Sequence, residues 1–432
     1  MLPVTLNNLL TYINPARKHR ILYFAVGGVL LLSWLLTIRR FLHATDIFFW
    51  NSFSITEFLI SFEGGFVRRG LLGECLYGLS ALTGLSPLPI IIAISIAAYA
   101  GFFAILLRKF YTKGVCWWLA FTPILLCTVY YVIRKDFLCY LLIALMMWIL
   151  ARYKPSTARS TALTLFCCLG MMLHEAFIFY GFPFVALMML SEVRRFRINL
   201  LYICLIPALF ILLSVFRGDR ATADGIIAAW NSIVPGQPMH YVYFNSIGAL
   251  TWTLDDAIWL HLYNNFYSPQ WGWAAGIALR ASELCLLFYT LSNFFIIYPW
   301  RWSPTADDRH NLPSLSLLTI ICMLPMLTVL SCDQYRVYQY ITVAAILPFL
   351  FLKARTIAEA FPAWFTNIAV GINSLFIKVL PQRRWIMAIM ILLMCLPTPQ
   401  YHLAEFNWTS PLGTVYTFTS QYVPFILRHV IS

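Results

Sequence analysis

The chain has 432 residues, 61% of them hydrophobic and 11% charged, where a soluble domain carries about a quarter. Continuous apolar runs recur from end to end without strand-like alternation, which excludes a soluble enzyme and a β-barrel. The net charge of +13 lies in short clusters between those runs, so no basic domain is left to hold nucleic acid.

In chain order, the elements predict an all-α polytopic membrane protein, a single integral membrane domain over 1–432. Arg17, Lys18 and Arg20 hold the N-terminus inside by the positive-inside rule, so the first helix, 21–38, runs outward. A long outer loop, 39–87, follows. The second helix, 88–107, returns to Arg108 and Lys109; the third, 115–133, exits to Arg134-Lys135-Asp136; the fourth, 137–151, returns to Arg152 and Lys154. The fifth, 161–173, exits to His174-Glu175, and the sixth, 176–191, returns to Arg194, Arg195 and Arg197. The seventh, 199–216, opens into a second long outer loop, 217–275. The eighth, 278–299, the ninth, 313–331, and the tenth, 337–352, alternate between Arg301, Asp333 to Arg336, and Lys353 with Arg355. The segment 362–380 reads as an interfacial or re-entrant helix, because a full span would put Arg383 and Arg384 outside. A last span, 385–398, leaves the tail 399–432 outside, giving about eleven helices with N-terminus in and C-terminus out.

The eleven cysteines form no CxxC pair and sit mostly in apolar runs, as small helix residues do. The N-terminus shows no cleavable signal peptide, its first apolar run having the length of an anchor.

The layout sorts the charge. Inside loops hold nineteen of the thirty Lys and Arg but four of the seventeen acids, Glu192, Asp307, Asp308 and Glu359. The carboxylates therefore gather on the outer side, many at helix ends, where charge at membrane depth marks function. The first outer loop carries Asp46, Glu57, Glu63, Arg68, Arg69 and Glu74. Tight turns that would ordinarily use Gly, Ser, Asn or Pro use charge instead: Arg134-Lys135-Asp136, His174-Glu175, and Asp333 to Arg336. The second outer loop opens on Arg217-Gly-Asp219-Arg220 and later holds His240, Asp255, Asp256 and His261. Snorkelling accounts for a lone Arg at a helix end but poorly for an Asp or a His-Glu pair.

Such a set suits sugar transfer. Asp46, Asp136, Glu63, His174 and Glu175 are the acid–base candidates, since a carboxylate beside an acceptor hydroxyl can take its proton. Arg68, Arg69, Arg134, Lys135, Arg217, Arg220 and Arg336, with Asp333, are the substrate-binding candidates, because planar guanidinium forks match phosphate oxygens. Glycines around Arg68 and Arg69 would let backbone N–H groups approach a phosphate. Asp46 and Asp136 could hold a divalent metal, although no DxD pair accompanies them.

This arrangement resembles the GT-C type of membrane glycosyltransferase over residues 20–300, in topology and acid placement and without a strict signature. Asp46 matches that family's first-loop acid, Asp136 the acid at the turn between helices three and four, and 217–275 its later outer loop. Residues 301–432 add helices and a short outer tail. The stretches "GGFVRRGLLG", "RKD" and "HE" also resemble multi-pass bacterial proteins of surface-polysaccharide loci. The resemblance implies transfer from a polyprenyl phosphate- or pyrophosphate-linked sugar at the outer face of a bacterial inner membrane, in O-antigen or capsule assembly. Family members that act on proteins often carry a soluble C-terminal domain; the short tail here implies a lipid-linked or small glycan acceptor. A repeat-unit polymerase would lean on Arg68, Arg69, Arg217 and Arg220 instead of the acids. A lipid-linked sugar flippase would need polar residues along its helices, which are sparse. Among the outer-loop aromatics, Trp230, Tyr241, Tyr243, Trp252, Trp259, Trp271 and Trp273 are dense enough for some to stack on sugar rings, while most serve as interfacial belts.

Overall fold

A computed structural model describes residues 28, 31, 35, 52–115, 133–234, 236, 238–267, 272–297, 303–331 and 333–380. It is helical, with no strand among the described residues. Helix α1 (Phe53–Leu59) starts on Ser52, whose hydroxyl accepts from the Ile55 N–H. Helix α2 (Gly70–Thr83) ends at Gly84 in the left-handed conformation that glycine tolerates. Helix α3 (Pro87–Lys113) has proline in its first turn and stops at Gly114. At 1.5 Å per residue its 27 residues reach about 40 Å, more than the roughly 30 Å hydrocarbon core of a bilayer.

Helices α4 (Asp136–Arg152), α5 (Thr157–Leu173), α6 (Phe177–Tyr180) and α7 (Pro183–Leu190) follow, and a 3₁₀ turn leads into α8 (Phe196–Val215). Then come α9 (Arg220–Ile233), α10 (Leu254–Phe266), α11 (Gly272–Ile297) and α12 (Ala306–Pro325). Thr305 and Asp308 form a reciprocal capping box at the start of α12. Beyond Pro325 the helix widens into a π-turn, Met326–Leu330. The described chain closes with α13 (Gln334–Phe351), α14 (Ala354–Ala360) and α15 (Ala363–Val379).

Among the described residues, four helices are long and apolar enough to cross a membrane: Pro87–Lys113, Val193–Val215, Gly272–Ile296 and Ala306–Leu330. The α14–α15 pair, bent by 111°, makes a fifth if counted as one span, or a re-entrant element. This fits a helical membrane protein, and it does not show eleven spans. Helices α4 and α5 have 17 residues each, near the lower limit for spanning. The sixth predicted span, 176–191, breaks between Tyr180 and Pro183 into α6 and α7. The last predicted span and most of the first and third lie outside the described residues. The second outer loop is also no plain loop, since Asp219 and Thr253 cap α9 and α10 within it.

At the centre stands α13, whose residues 336–350 are all buried. A helix apolar on every side belongs inside a bundle. It packs on α4, α12 and α11, while α4 in turn packs on α3 and α5. Polar groups on α13 therefore meet protein, and the first of them is Arg336.

Candidate functional site

Four segments distant in sequence converge at one end of this bundle. Helix α1 and the loop after it bring Glu57, Arg68 and Arg69. The turn before α4 brings Arg134, Lys135 and Asp136, the α5–α6 turn brings His174 and Glu175, and α13 brings Arg336 and Tyr340.

The inner tier centres on Glu57, which is fully buried. Its carboxylate accepts from Arg134 Nη1 at 3.1 Å and Arg336 Nη2 at 3.2 Å. Arg336 forks onto Asp136, with Nε to Oδ2 at 2.6 Å and Nη2 to Oδ1 at 2.7 Å. The Tyr340 hydroxyl donates to the same Oδ1 at 2.6 Å, and its ring stacks on Tyr180 with centroids 4.3 Å apart. Both Asp136 oxygens are thus engaged.

The outer tier centres on Glu175. Arg69 grips it at two points, Nε to Oε2 at 2.6 Å and Nη2 to Oε1 at 2.5 Å, and Arg68 Nη1 reaches Oε1 at 3.2 Å. These two arginines keep 21% and 31% of their side-chain surface open. Beneath them the Lys135 ammonium donates to the Arg69 carbonyl at 2.9 Å.

The backbone explains how adjacent arginines share one carboxylate. Arg69 has φ 64°, the one non-glycine residue with positive φ among the described residues. That conformation costs about 1–2 kcal/mol and commonly marks a functional position. It reverses the chain so that α2 starts immediately behind the pair. Gly73 lets α2 lie against the preceding loop, because a Cβ there would strike the Ile60 carbonyl oxygen. Glu74, one residue on, accepts from the Phe62 N–H at 2.8 Å and closes the loop.

Electrostatics separates the groups. Burial alone would raise the Glu57 carboxyl, but Arg336, Arg134, His174 and Arg69 outweigh it and hold it well below the usual range. Glu175 is held low in the same way by Arg69 and Arg68. Burial, aided by Arg69 and Arg336, pushes His174 down to about 3, so its ring is neutral near pH 7. Its Nδ1 accepts from the Ala176 N–H at 3.2 Å, which leaves the proton on Nε2, 3.6 Å from Glu57 Oε1. Burial lowers Lys135 to about 8.

In formal charge, Arg68, Arg69, Arg134, Lys135 and Arg336 face Glu57, Asp136 and Glu175, a surplus of two positive charges with His174 neutral. Among the buried donors at the partly open tier, Arg68 Nε lacks a hydrogen-bond partner. Excess cation and an unpartnered donor are what an anion would satisfy.

Of the sequence candidates, Asp136, His174, Glu175, Arg68, Arg69, Arg134, Lys135 and Arg336 come together. Asp333 caps α13 beside them, accepting from the Arg336 N–H at 3.3 Å. Arg217 is exposed and follows Phe216, whose carbonyl accepts from the Arg68 N–H at 2.8 Å. Glu63 is exposed and outside the network. Arg220 is also apart, paired with Asp224 at 2.8 Å and lying over the Tyr241 ring. Asp46 lies outside the described residues. Among the described residues, no group of three His, Cys, Asp or Glu side chains is placed to hold a metal ion.

Glu57 and Tyr340 carry the inner tier without having been singled out for a site. Glu57 had a signal, a lone acid in the apolar stretch "ITEFLI". Tyr340 had none among its aromatic neighbours. No protein-family model, curated protein or solved structure matches the chain.

Proposed function

We propose that this chain is a membrane glycosyltransferase that uses a polyprenyl phosphate- or pyrophosphate-linked sugar in bacterial surface-polysaccharide assembly. In this reading it has about eleven spans, N-terminus in and C-terminus out, and sits in the inner membrane with the site on the outer face. The observation that carries the proposal is the cationic surplus of the cluster, with Arg68 and Arg69 held side by side at its partly exposed edge. As the sugar leaves its phosphate, negative charge grows on the departing oxygens, and fixed guanidinium groups lower that barrier without reorganising. Glu175 holds the two guanidinium groups side by side, and a phosphate bound there would compete for the same donors. The acceptor is a second lipid-linked or free glycan.

A specific observation favours the repeat-unit polymerase form of this activity. Both Asp136 oxygens are taken by Arg336 and Tyr340, which suits a bracing role for the arginine site better than proton abstraction. Farnesyl pyrophosphate, a short polyprenyl pyrophosphate, tests the reading by titration against the purified full chain in nanodiscs. Binding that weakens about tenfold or more in Arg69→Gln but is unchanged in Glu63→Gln supports it. Absence of binding to the wild-type chain overturns it. Movement of a labelled lipid-linked sugar across liposomes, with no new glycosidic bond formed, would assign a flippase instead.

A further inference from the structure

Helix α10 has two distinct faces. Asp256, Trp259 and Tyr263 recur at helical spacing on one side, and His261 points off that line. The first face lines an open surface depression of about 440 Å³, shared with Tyr243, Phe244 and Trp252. Its volume falls among small-molecule sites of about 300–1,000 Å³. The aromatics are organised. Tyr243 and Phe244 rings lie 5.0 Å apart, Tyr243 and Trp252 5.8 Å apart, and Trp252 Nε1 donates to the Tyr243 carbonyl at 3.2 Å. Trp259 leaves 65% of its surface uncovered.

The depression lies near the arginine site. A Cβ at Gly218 would meet Leu250 and Val67 at 3.1 Å each, so the strand of chain ahead of Trp252 lies beside the residue preceding Arg68. The Trp252 ring stands 6.4 Å from His261, whose Nδ1 is buried without a partner. Burial, with the charges of Arg68 and Arg69, pushes His261 down to about 4, consistent with that proximity.

We infer that this depression is a carbohydrate subsite that takes the sugar rings of a glycan whose phosphate lies at Arg68 and Arg69; the inference rests on the proposed transferase reading for that second half. The apolar faces of pyranose rings pack on indole and phenol rings, and the Asp256 carboxylate at the rim accepts their hydroxyls. An interfacial belt facing lipid fits less well. A belt needs only amphipathic rings at one level, whereas these line an open depression that also includes the Asp256 carboxylate.

Saturation-transfer NMR on the full chain in nanodiscs tests it, with methyl glycosides of glucose, galactose, mannose, rhamnose and N-acetylglucosamine as probes. At least one glycoside is expected to receive saturation at its ring protons. Trp259→Ala, a change at an exposed ring, is expected to weaken that binding about tenfold, and Asp256→Asn to weaken it as well. Farnesyl pyrophosphate binding stays at the wild-type level in both variants. The proposal is overturned if no glycoside receives saturation, if transfer persists undiminished in Trp259→Ala, or if that variant loses only its hold on lipid. Glycoside binding that depends on Trp259, alongside no binding of farnesyl pyrophosphate, would keep the sugar subsite and reject the phosphate reading.

Discussion

At the scale of single residues, the site depends on carboxylates that neutralise buried cations. Glu57 touches Arg134 and Arg336 and has no exposure, so Glu57→Gln removes the carboxylate those two guanidinium groups share. Breaking a buried pair in this way costs about 3–5 kcal/mol. The expected outcome is a marked fall in thermal midpoint and protein level, while exposed Glu63→Gln stays within about 0.5 kcal/mol of wild type. Equal midpoints for the two variants would contradict the packing. The histidines set a pH dependence. His174 is depressed from 6.5 to about 3, so the unfolded chain binds a proton that the folded chain refuses between those values. Stability is therefore full above about pH 6.5 and is lost as pH falls, by at most about 1.4 kcal/mol per pH unit for this one group. His261, depressed to about 4, adds in the same direction. The lowered carboxyls Glu57 and Glu175 act in the same sense at lower pH, below the ordinary carboxyl range. Thermal scans between pH 7 and 5 should show a declining midpoint, and His174→Asn should flatten part of that decline.

At the scale of elements, charge made the ends of helices legible and the pairings illegible. The span predicted over 137–151 is Asp136–Arg152 in the structure, because Asp136 and Arg152 end the apolar run on both sides. The run 176–191 looks equally continuous, yet it breaks where Phe182 and Pro183 follow Gly181, and hydropathy has no means of seeing that bend. The charged turns announced themselves by lacking ordinary turn residues. Their partners did not, since Arg68 and Glu175 are 107 positions apart and Arg336 and Glu57 are 279 apart. The left-handed Arg69 was equally hidden, because a glycine would be expected at that backbone angle. Its strain can be separated from its charge. Arg69→Gly and Arg69→Ala both delete the guanidinium, but only Ala keeps the Cβ that opposes φ 64°. The glycine variant should be the more stable of the two by about 1–2 kcal/mol in denaturation of the purified protein. An alanine variant as stable as the glycine one would mean that the loop relaxes out of the left-handed conformation once the arginine is gone.

At the scale of the whole molecule, the two ends of the bundle differ in how they use charge. One end holds the network around Glu57 and Glu175, built from segments across the chain. The other holds local pairs, such as Arg159 with Glu192 and Arg195 with Thr157, which tie α5 to the start of α8. Lys109 and Lys113 lie at that same end of α3 and pack over the rings of Phe351 and Phe349, with the Lys113 ammonium donating to the Phe349 carbonyl. Snorkelling lysines of this kind keep their heads at an interface while their stems cover apolar surface. In the proposed orientation the positive-inside rule would set the lysine end at the cytoplasm and the Arg68–Arg69 end outward. The orientation is testable without knowing any substrate. Glu63 is exposed on the loop beside the arginine pair, and Lys154 is exposed in the turn between α4 and α5. A membrane-impermeant maleimide applied to intact spheroplasts should label Glu63→Cys above the background of the native thiols and leave Lys154→Cys at background. Inverted vesicles should give the opposite pattern. If Lys154→Cys is the one labelled from outside, the arginine pair faces the cytoplasm, where it would meet nucleotide-activated sugars, and a donor presented on an outward-facing polyprenyl lipid could not reach it.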